Sequence, residues 1–404
     1  MDGNRLSKLP SVIIKNLKKL KEFECEDCGL GPTLSTGQLG FASPALMKVD
    51  LQNNEISKVE PGAITGDSGL LKSRECFRDL IGIVQDIMAL ASNVVNWSTC
   101  NLNAKQFRMM NNENVTELNG SFFGALSFES IFVNHTAVKT VSPSAILPLR
   151  DQIEKLEISF SQLEEFPFHS LLNFSRLSDL RLERNSLTLV SAIQSKSLEI
   201  LSLGFNKIRN LEEGWATPNL RKINLTENPL EKIPAALVKS MTNLKEFHCV
   251  ACKLGPTLRS GMWAFDSKGL LTVDLQGNEI SKIERLAITG LMPETELILD
   301  GNQITELPKE VFRPLLMNES HAKGFISLQG NPIECNCRLV WFINDPHLLG
   351  SVRGTCEDGT EFANLTLQCR LCDHQCVKRE EAGQCIPGSN SSSNVDDCQP
   401  EEIC

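Results

Sequence analysis

The chain has 404 residues, enough for two or three ordinary domains or for one elongated repeat array. Its apolar content of 41% is that of a folded protein, and its net charge of −10 excludes the basic footprint that nucleic-acid binding needs. No window supplies the roughly 18 uncharged apolar residues of a membrane span; the nearest, Leu80 to Trp97, is broken by Gln85, Asp86 and Asn93.

The opening ten residues, MDGNRLSKLP, parallel LDGNQITELP at Leu299 to Pro308, and residues 4–66 match 228–290 without a gap at roughly half of the positions. The run CxLGPTL occurs at Cys28 to Leu34 and again at Cys252 to Leu258; VDLQNNEISK at Val49 answers VDLQGNEISK at Val273. Residues 1–70 therefore read as a partial fragment that duplicates 228–290 and is entered inside a repeat. Tandem duplication or a faulty gene model would account for it, and either would have removed a leader. The other origin is a fused gene whose own leader was missed.

Residues 71–117 read as a helical linker and N-terminal cap. Leu80, Ile83, Val84, Ile87, Met88, Ala91, Val94 and Val95 fall at helical spacing, and Cys76 and Cys100 are candidates for a cap disulfide. A displaced signal-peptide core is the alternative for this stretch, and Asp86 in its middle opposes it.

From 118 to 331 the chain repeats. Leu177, Leu180, Leu182, Asn185 and Leu187 fit LxxLxLxxNxL, and the same spacing returns at Leu198, Leu201, Leu203, Asn206, Ile208 and at Leu220, Ile223, Leu225, Asn228, Leu230. It continues at Leu270, Val273, Leu275, Asn278, Ile280, then in shortened form at Leu297, Leu299, Asn302, Ile304 and at Ile326, Leu328, Asn331. Upstream, Thr136 and Ser161 stand at the Asn place. This is the leucine-rich-repeat signature. Its LxL alternation builds a short strand whose inward side chains stack coil on coil, and its Asn satisfies backbone groups at the turn that follows. The predicted fold is an α/β solenoid: a leucine-rich-repeat horseshoe with short parallel strands on the concave face, a C-terminal cysteine-rich cap and a disulfide-rich tail.

The repeat also disposes of two apparent metal or redox motifs. Aligned on it, Cys25 and Cys249 fall on buried strands, and Cys28 and Cys252 take the Asn position, so CEDC and CVAC read as inert buried thiols. Residues 332–370 form the C-terminal cap, opened by NPIECNCRLVWF, with Leu339 and Trp341 covering the last coil. Four cysteines here, Cys335, Cys337, Cys356 and Cys369, allow three pairings. Residues 371–404 are a cysteine-rich tail. Its Cys372, His374, Cys376 and Cys385 invite zinc, but an oxidising compartment favours a small disulfide knot.

No HExxH, GxSxG, phosphate-binding loop, dinucleotide-binding or calcium-loop pattern occurs. No catalytic residue, metal ligand or cofactor site is expected. The predicted concave-face column runs Glu157, Arg181, Ser202, Asn224, His248, Asp274; it is polar, of mixed sign, and lacks a nucleophile with an orienting partner. It is a candidate protein-binding surface. Nine Asn-x-Ser/Thr sequons, at Asn96, Asn114, Asn119, Asn134, Asn173, Asn224, Asn318, Asn364 and Asn390, join the nine cysteines from Cys335 to Cys404 in pointing to secreted, glycosylated material.

Four segments narrow the reading further: LNGSFFGALSFESIFVNHTAVKTV (Leu118 to Val141), the coil from Leu156 to Leu187 with its FPF run, CKLGPTL and NPIECNC. Together they resemble the arthropod secreted leucine-rich-repeat proteins typified by the non-catalytic subunit of oplophorus-luciferin monooxygenase. The resemblance implies pairing of Cys335 with Cys356 and of Cys337 with Cys369. It also implies a non-enzymatic, extracellular chain that binds another protein, as a non-catalytic or stabilising subunit beside a separate catalytic polypeptide. The alternative is an extracellular-matrix or innate-recognition module for glycan or microbial ligands.

Overall fold

The computed structural model describes residues 3–4, 6, 11–43, 45–60, 62–66, 103–120, 122–123, 127–231, 233–234, 237–317 and 324–365. The predicted helix over Leu80 to Trp97, the Cys76–Cys100 pair, Cys369 of the Cys337–Cys369 pair and the tail from 371 lie outside them, as do Asn96, Asn318 and Asn390. The chain forms two compact units, Met1–Leu220 and Arg221–Cys404.

In the first unit seven strands pair in chain order and all in parallel: β1 (Glu22–Glu24), β2 (Lys48–Asp50), β3 (Asn103–Asn112), β4 (Ser127–Thr136), β5 (Lys155–Ser159), β6 (Asp179–Arg181) and β7 (Ile200–Ser202). The second unit repeats the plan with β8 (Lys222–Asn224), β9 (Glu246–His248), β10 (Thr272–Asp274), β11 (Glu296–Ile298), β12 (Phe325–Ser327) and β13 (Val352–Arg353). One strand per coil, each hydrogen-bonded to the next coil's strand, is the leucine-rich-repeat solenoid. β3 lies within the stretch read as linker and cap, so that stretch contributes a coil of its own.

The alternation sets the core. Leu180 and Leu182, Leu201 and Leu203, and Val273 and Leu275 are 0% exposed, stacked beneath the sheet at the LxL positions. The repeat Asn residues then close each turn. The amide nitrogen of Asn185 donates to Leu182 O in its own coil (3.1 Å) and to Ile158 O in the coil before (2.7 Å), while its oxygen accepts from Leu163 N (3.1 Å). Asn206 does the same with Leu203 O, Leu182 O and Leu187 N. At the weaker coils Thr136 and Ser161 bond to each other at 2.9 Å, a hydroxyl pair replacing the amide.

The two copies fold alike. β1 and β2 recur as β9 and β10 with an offset of 224 residues, as do the short outer pairs 33–34 with 58–59 and 257–258 with 282–283. The shared LGPTL segment has a steric reason for its glycine. A Cβ on Gly31 would strike the carbonyl of Glu55, and one on Gly255 the carbonyl of Glu279, so only glycine lets the next coil approach.

Both CxxC motifs require a correction. Cys25 and Cys28, and Cys249 and Cys252, are disulfide-bonded, each pair wholly buried. The turn after the strand brings their Cα atoms to 5.4 and 5.5 Å, within bonding reach, which a sequence spacing does not reveal. Each disulfide stands where a repeat Asn would, and the Asn of the next coil reaches back to bond the strand cysteine's carbonyl: Asn54 to Cys25 O and Asn278 to Cys249 O, both at 2.7 Å.

The second unit ends in the cap. Cys335 bonds Cys356 across 21 residues, and Ile333 bridges Cys356 in parallel. Leu339, Phe342, Phe362 and Leu365 are buried over the last coil, with Phe342 and Phe362 edge to face at 6.0 Å. Trp341 is half-buried and donates its indole N–H to Leu307 O at 3.2 Å. Among the described residues no helix is long and apolar enough to cross a membrane.

Candidate functional site: the sheet face and its rim

Register alone places the predicted column. In the first unit Glu157 on β5 sits beside Arg181 on β6, and Arg181 beside Ser202 on β7. In the second unit Asn224 on β8 sits beside His248 on β9, and His248 beside Asp274 on β10. Strand alternation points these side chains away from the leucine core. All are half-buried except Ser202, which is buried and offers little to a partner.

In the first unit the face neutralises itself. Lys155 Nζ lies 3.3 Å from Glu157 and 3.5 Å from Asp179, and sits over the Phe132 ring at 5.1 Å; Arg108 covers the same ring, also at 5.1 Å. Arg181 bonds Asp179 at 2.9 Å, which raises the guanidinium pKa above its usual value. Asn134 requires a correction as a glycan site. It is 7% exposed on β4, donates to Glu157 Oε1 at 2.8 Å and accepts from Ser159 N at 2.9 Å. A glycan on Nδ2 would have to displace the bond to Glu157 and leave from a buried atom. Asn114, Asn119, Asn173 and Asn364 are exposed, and Asn224 is half-buried on the face.

The second unit carries a relay of charge: Lys222 Nζ to Glu246 Oε2 at 2.6 Å, Glu246 to His248 Nε2 at 3.2 Å, and His248 Nδ1 to Asp274 Oδ2 at 3.6 Å. Asp274, then Glu246, raise the His248 pKa above the usual histidine value, outweighing burial and the Lys222 charge. Lys222 chiefly, helped by His248, holds the Glu246 carboxyl below its ordinary range. The duplicate coil has Glu24 at the place of His248, and its cation, Lys48, stands on the next strand where the second copy has Thr272. There Lys48, its pKa raised by Glu24 first, bonds Glu24 at 2.5 Å and Asp50 at 3.2 Å. The second copy thus carries a histidine between two carboxylates, whereas the first carries a lysine between two.

A raised folded-state pKa means that His248 contributes stability fully below its unfolded value near 6.5, and that this contribution is lost as pH rises through the higher folded value. Thermal unfolding between pH 5.5 and 8.5 should show the wild type losing more stability on the alkaline side than His248→Gln. Parallel profiles would contradict the pairing.

A second array lies at the rim, where each strand turns out of the sheet, and the repeat pattern did not single it out. The residue before the repeat Asn place, or its Thr or Ser substitute, has positive φ in successive coils: His135 (54°), Phe160 (52°), Arg184 (53°) and Phe205 (57°). The four side chains stack. His135 lies flat on Phe160 at 4.7 Å with 10° between the planes, and the Arg184 guanidinium sits over Phe160 at 5.2 Å and over Phe205 at 4.0 Å. Phe160 and Phe205 remain 48% and 39% exposed. The sequence signal was present: an aromatic at a variable position that precedes the Asn place by one in two coils.

No family model matches the chain. A curated relative, the oplophorus-luciferin 2-monooxygenase non-catalytic subunit of Oplophorus gracilirostris, is 28% identical over 272 residues, 63% of this chain and 71% of that one. The chain is a leucine-rich-repeat protein that resembles this subunit. Mouse podocan is 22% identical over 322 residues, covering 67% of this chain and half the length of podocan. Solved structures with a similar fold include a chain of the octameric complex of latrophilin 3, Unc5D and FLRT2 (17% identity, TM-score 0.44, 70% of this chain and 93% of that one). Another comes from the Toll–Spätzle complex of Drosophila (17%, TM-score 0.43, 89% and 56%). Among the described residues no group of three His, Cys, Asp or Glu side chains is placed to hold a metal ion.

Proposed function

We propose that the chain is a secreted, glycosylated, non-enzymatic leucine-rich-repeat protein that binds another protein, as the non-catalytic or stabilising subunit of an extracellular complex. The observation that carries this reading is the 272-residue match to a relative named as a non-catalytic subunit. The structure is consistent with it. The charged groups of the sheet face are engaged with one another rather than aimed at a reacting atom, and the disulfides suit an oxidising compartment. For the chain's division the reading remains fragment to 70, linker and cap to 117 with the coil of β3 within it, solenoid to 331, cap to 370 and tail to 404.

A scaffold of this kind co-purifies with one polypeptide at fixed stoichiometry and does not bind immobilised glycan or cell wall as a lone chain. Retention on glycan by the isolated chain, with no companion polypeptide, would favour the matrix or recognition module instead.

A further inference from the structure

We infer that the rim stack of His135, Phe160, Arg184 and Phe205 is the docking surface for an acidic peptide segment of the partner protein. The inference rests on the protein-binding reading above and names where, and by what chemistry, that partner is held.

Three observations carry it. The first is conformational cost. A left-handed φ suits Gly, Asn and Asp, and the same rim position is Asp27, Asn53 and Asn111 in the earlier coils of this unit. In the second unit it is Gly277, Gly301 and Gly330 in three coils, and Glu227 and Ala251 in two others, none of them aromatic. Two phenylalanines held there carry a conformational cost that Asn or Gly would avoid. Leaving them 48% and 39% exposed recovers little of that by burial.

The second is charge. Along the sheet face of this unit Lys155 pairs with Glu157 and Asp179 and Arg181 with Asp179, while Arg108 lies over the Phe132 ring. Arg184 makes no ion pair with any described residue; its partners are the two rings. Stacking orders the guanidinium while leaving the N–H groups at its edge for an acceptor.

The third is geometry. Coil order sets His135 and Arg184 on opposite faces of Phe160, so both of its faces are occupied and a sugar cannot stack on them. What the array presents is ring edges, which are electropositive, and guanidinium N–H groups. That surface complements a carboxylate flanked by apolar side chains, an acidic segment running along the rim, and on a chain of net charge −10 it is a local exception.

The test uses the full chain and the polypeptide released from its native complex. Arg184→Glu is expected to weaken reassembly by at least about tenfold. The double variant Phe160→Asn with Phe205→Gly should weaken it similarly, with Tm unchanged or higher because the strain is relieved, so misfolding cannot explain the loss. Partner carboxylates modified by carbodiimide and glycinamide should be protected in the wild-type complex and exposed with Arg184→Glu. Reassembly within about twofold of wild type for both variants would overturn the rim site and leave the protein-binding reading standing. Failure of the wild-type chain to reassemble would overturn both. Release of a sulfated glycan rather than a polypeptide would overturn the peptide assignment.

Discussion

Replacing Asn278 by alanine is expected to destabilise the second unit by about 3 kcal/mol, read as a fall of about 10 °C in Tm. Asn278 is 0% exposed and its amide serves two coils at once. The nitrogen donates to Cys249 O at 2.7 Å, Leu275 O at 2.9 Å and Gln276 O at 3.2 Å; the oxygen accepts from Cys252 N at 2.7 Å. Alanine leaves these backbone groups buried and without that partner, and it opens a small void as well. Asn278→Asp sharpens the test. It keeps the shape and one acceptor but turns oxygen toward three carbonyls, so it should be at least as damaging as alanine. Asn173→Ala, at an exposed site with one bond to Ser170 O, should change stability by less than about 0.5 kcal/mol. Equal effects at the two positions in a thermal melt would mean that the Asn ladder is not what ties coil to coil.

The second large effect is at the cap. Cys335→Ser with Cys356→Ser should cost about 3 kcal/mol, because the bond closes a loop spanning 21 residues in the unfolded chain. Removing it also frees the cover over the last coil. Gly354 shows how tightly that cover fits: a Cβ there would meet Phe362 Cε2 at 2.7 Å and Leu328 Cβ at 3.3 Å. An uncapped solenoid exposes its core end-on, so the double variant should self-associate as well as melt earlier. Removing Cys25 with Cys28 should cost less, since that bond closes only a four-residue loop. Sedimentation and thermal melts of the two double variants, compared under non-reducing conditions, check both points. A cap variant that stays monomeric with an unchanged Tm would contradict the capping role.

How much of this was legible in the sequence depended on whether a residue's role is set by its own coil. Leu180, Leu182 and Asn185 could be placed from spacing alone, because strand, core and turn are all fixed within one repeat. β3 was not, because its coil puts Phe107 and Met109 where leucines stand elsewhere, and only Asn112 keeps the signature. Asn134 read as a sequon because three letters define one. Its register beside Ser159 and its bond to Glu157, where it is buried, are relations between coils. The paired cysteines and the rim stack fail for the same reason. The Cα separation at a turn, and the column that aligns Phe160 with Arg184 and Phe205, exist only once coils are stacked.

The most direct test of the central claim is the native mass of the protein isolated from its source without denaturant, set beside its denatured mass. The account predicts a native mass above that of one glycosylated chain, with a second polypeptide released on denaturation. A native mass equal to a single chain would contradict it and make the protein a stand-alone binding module.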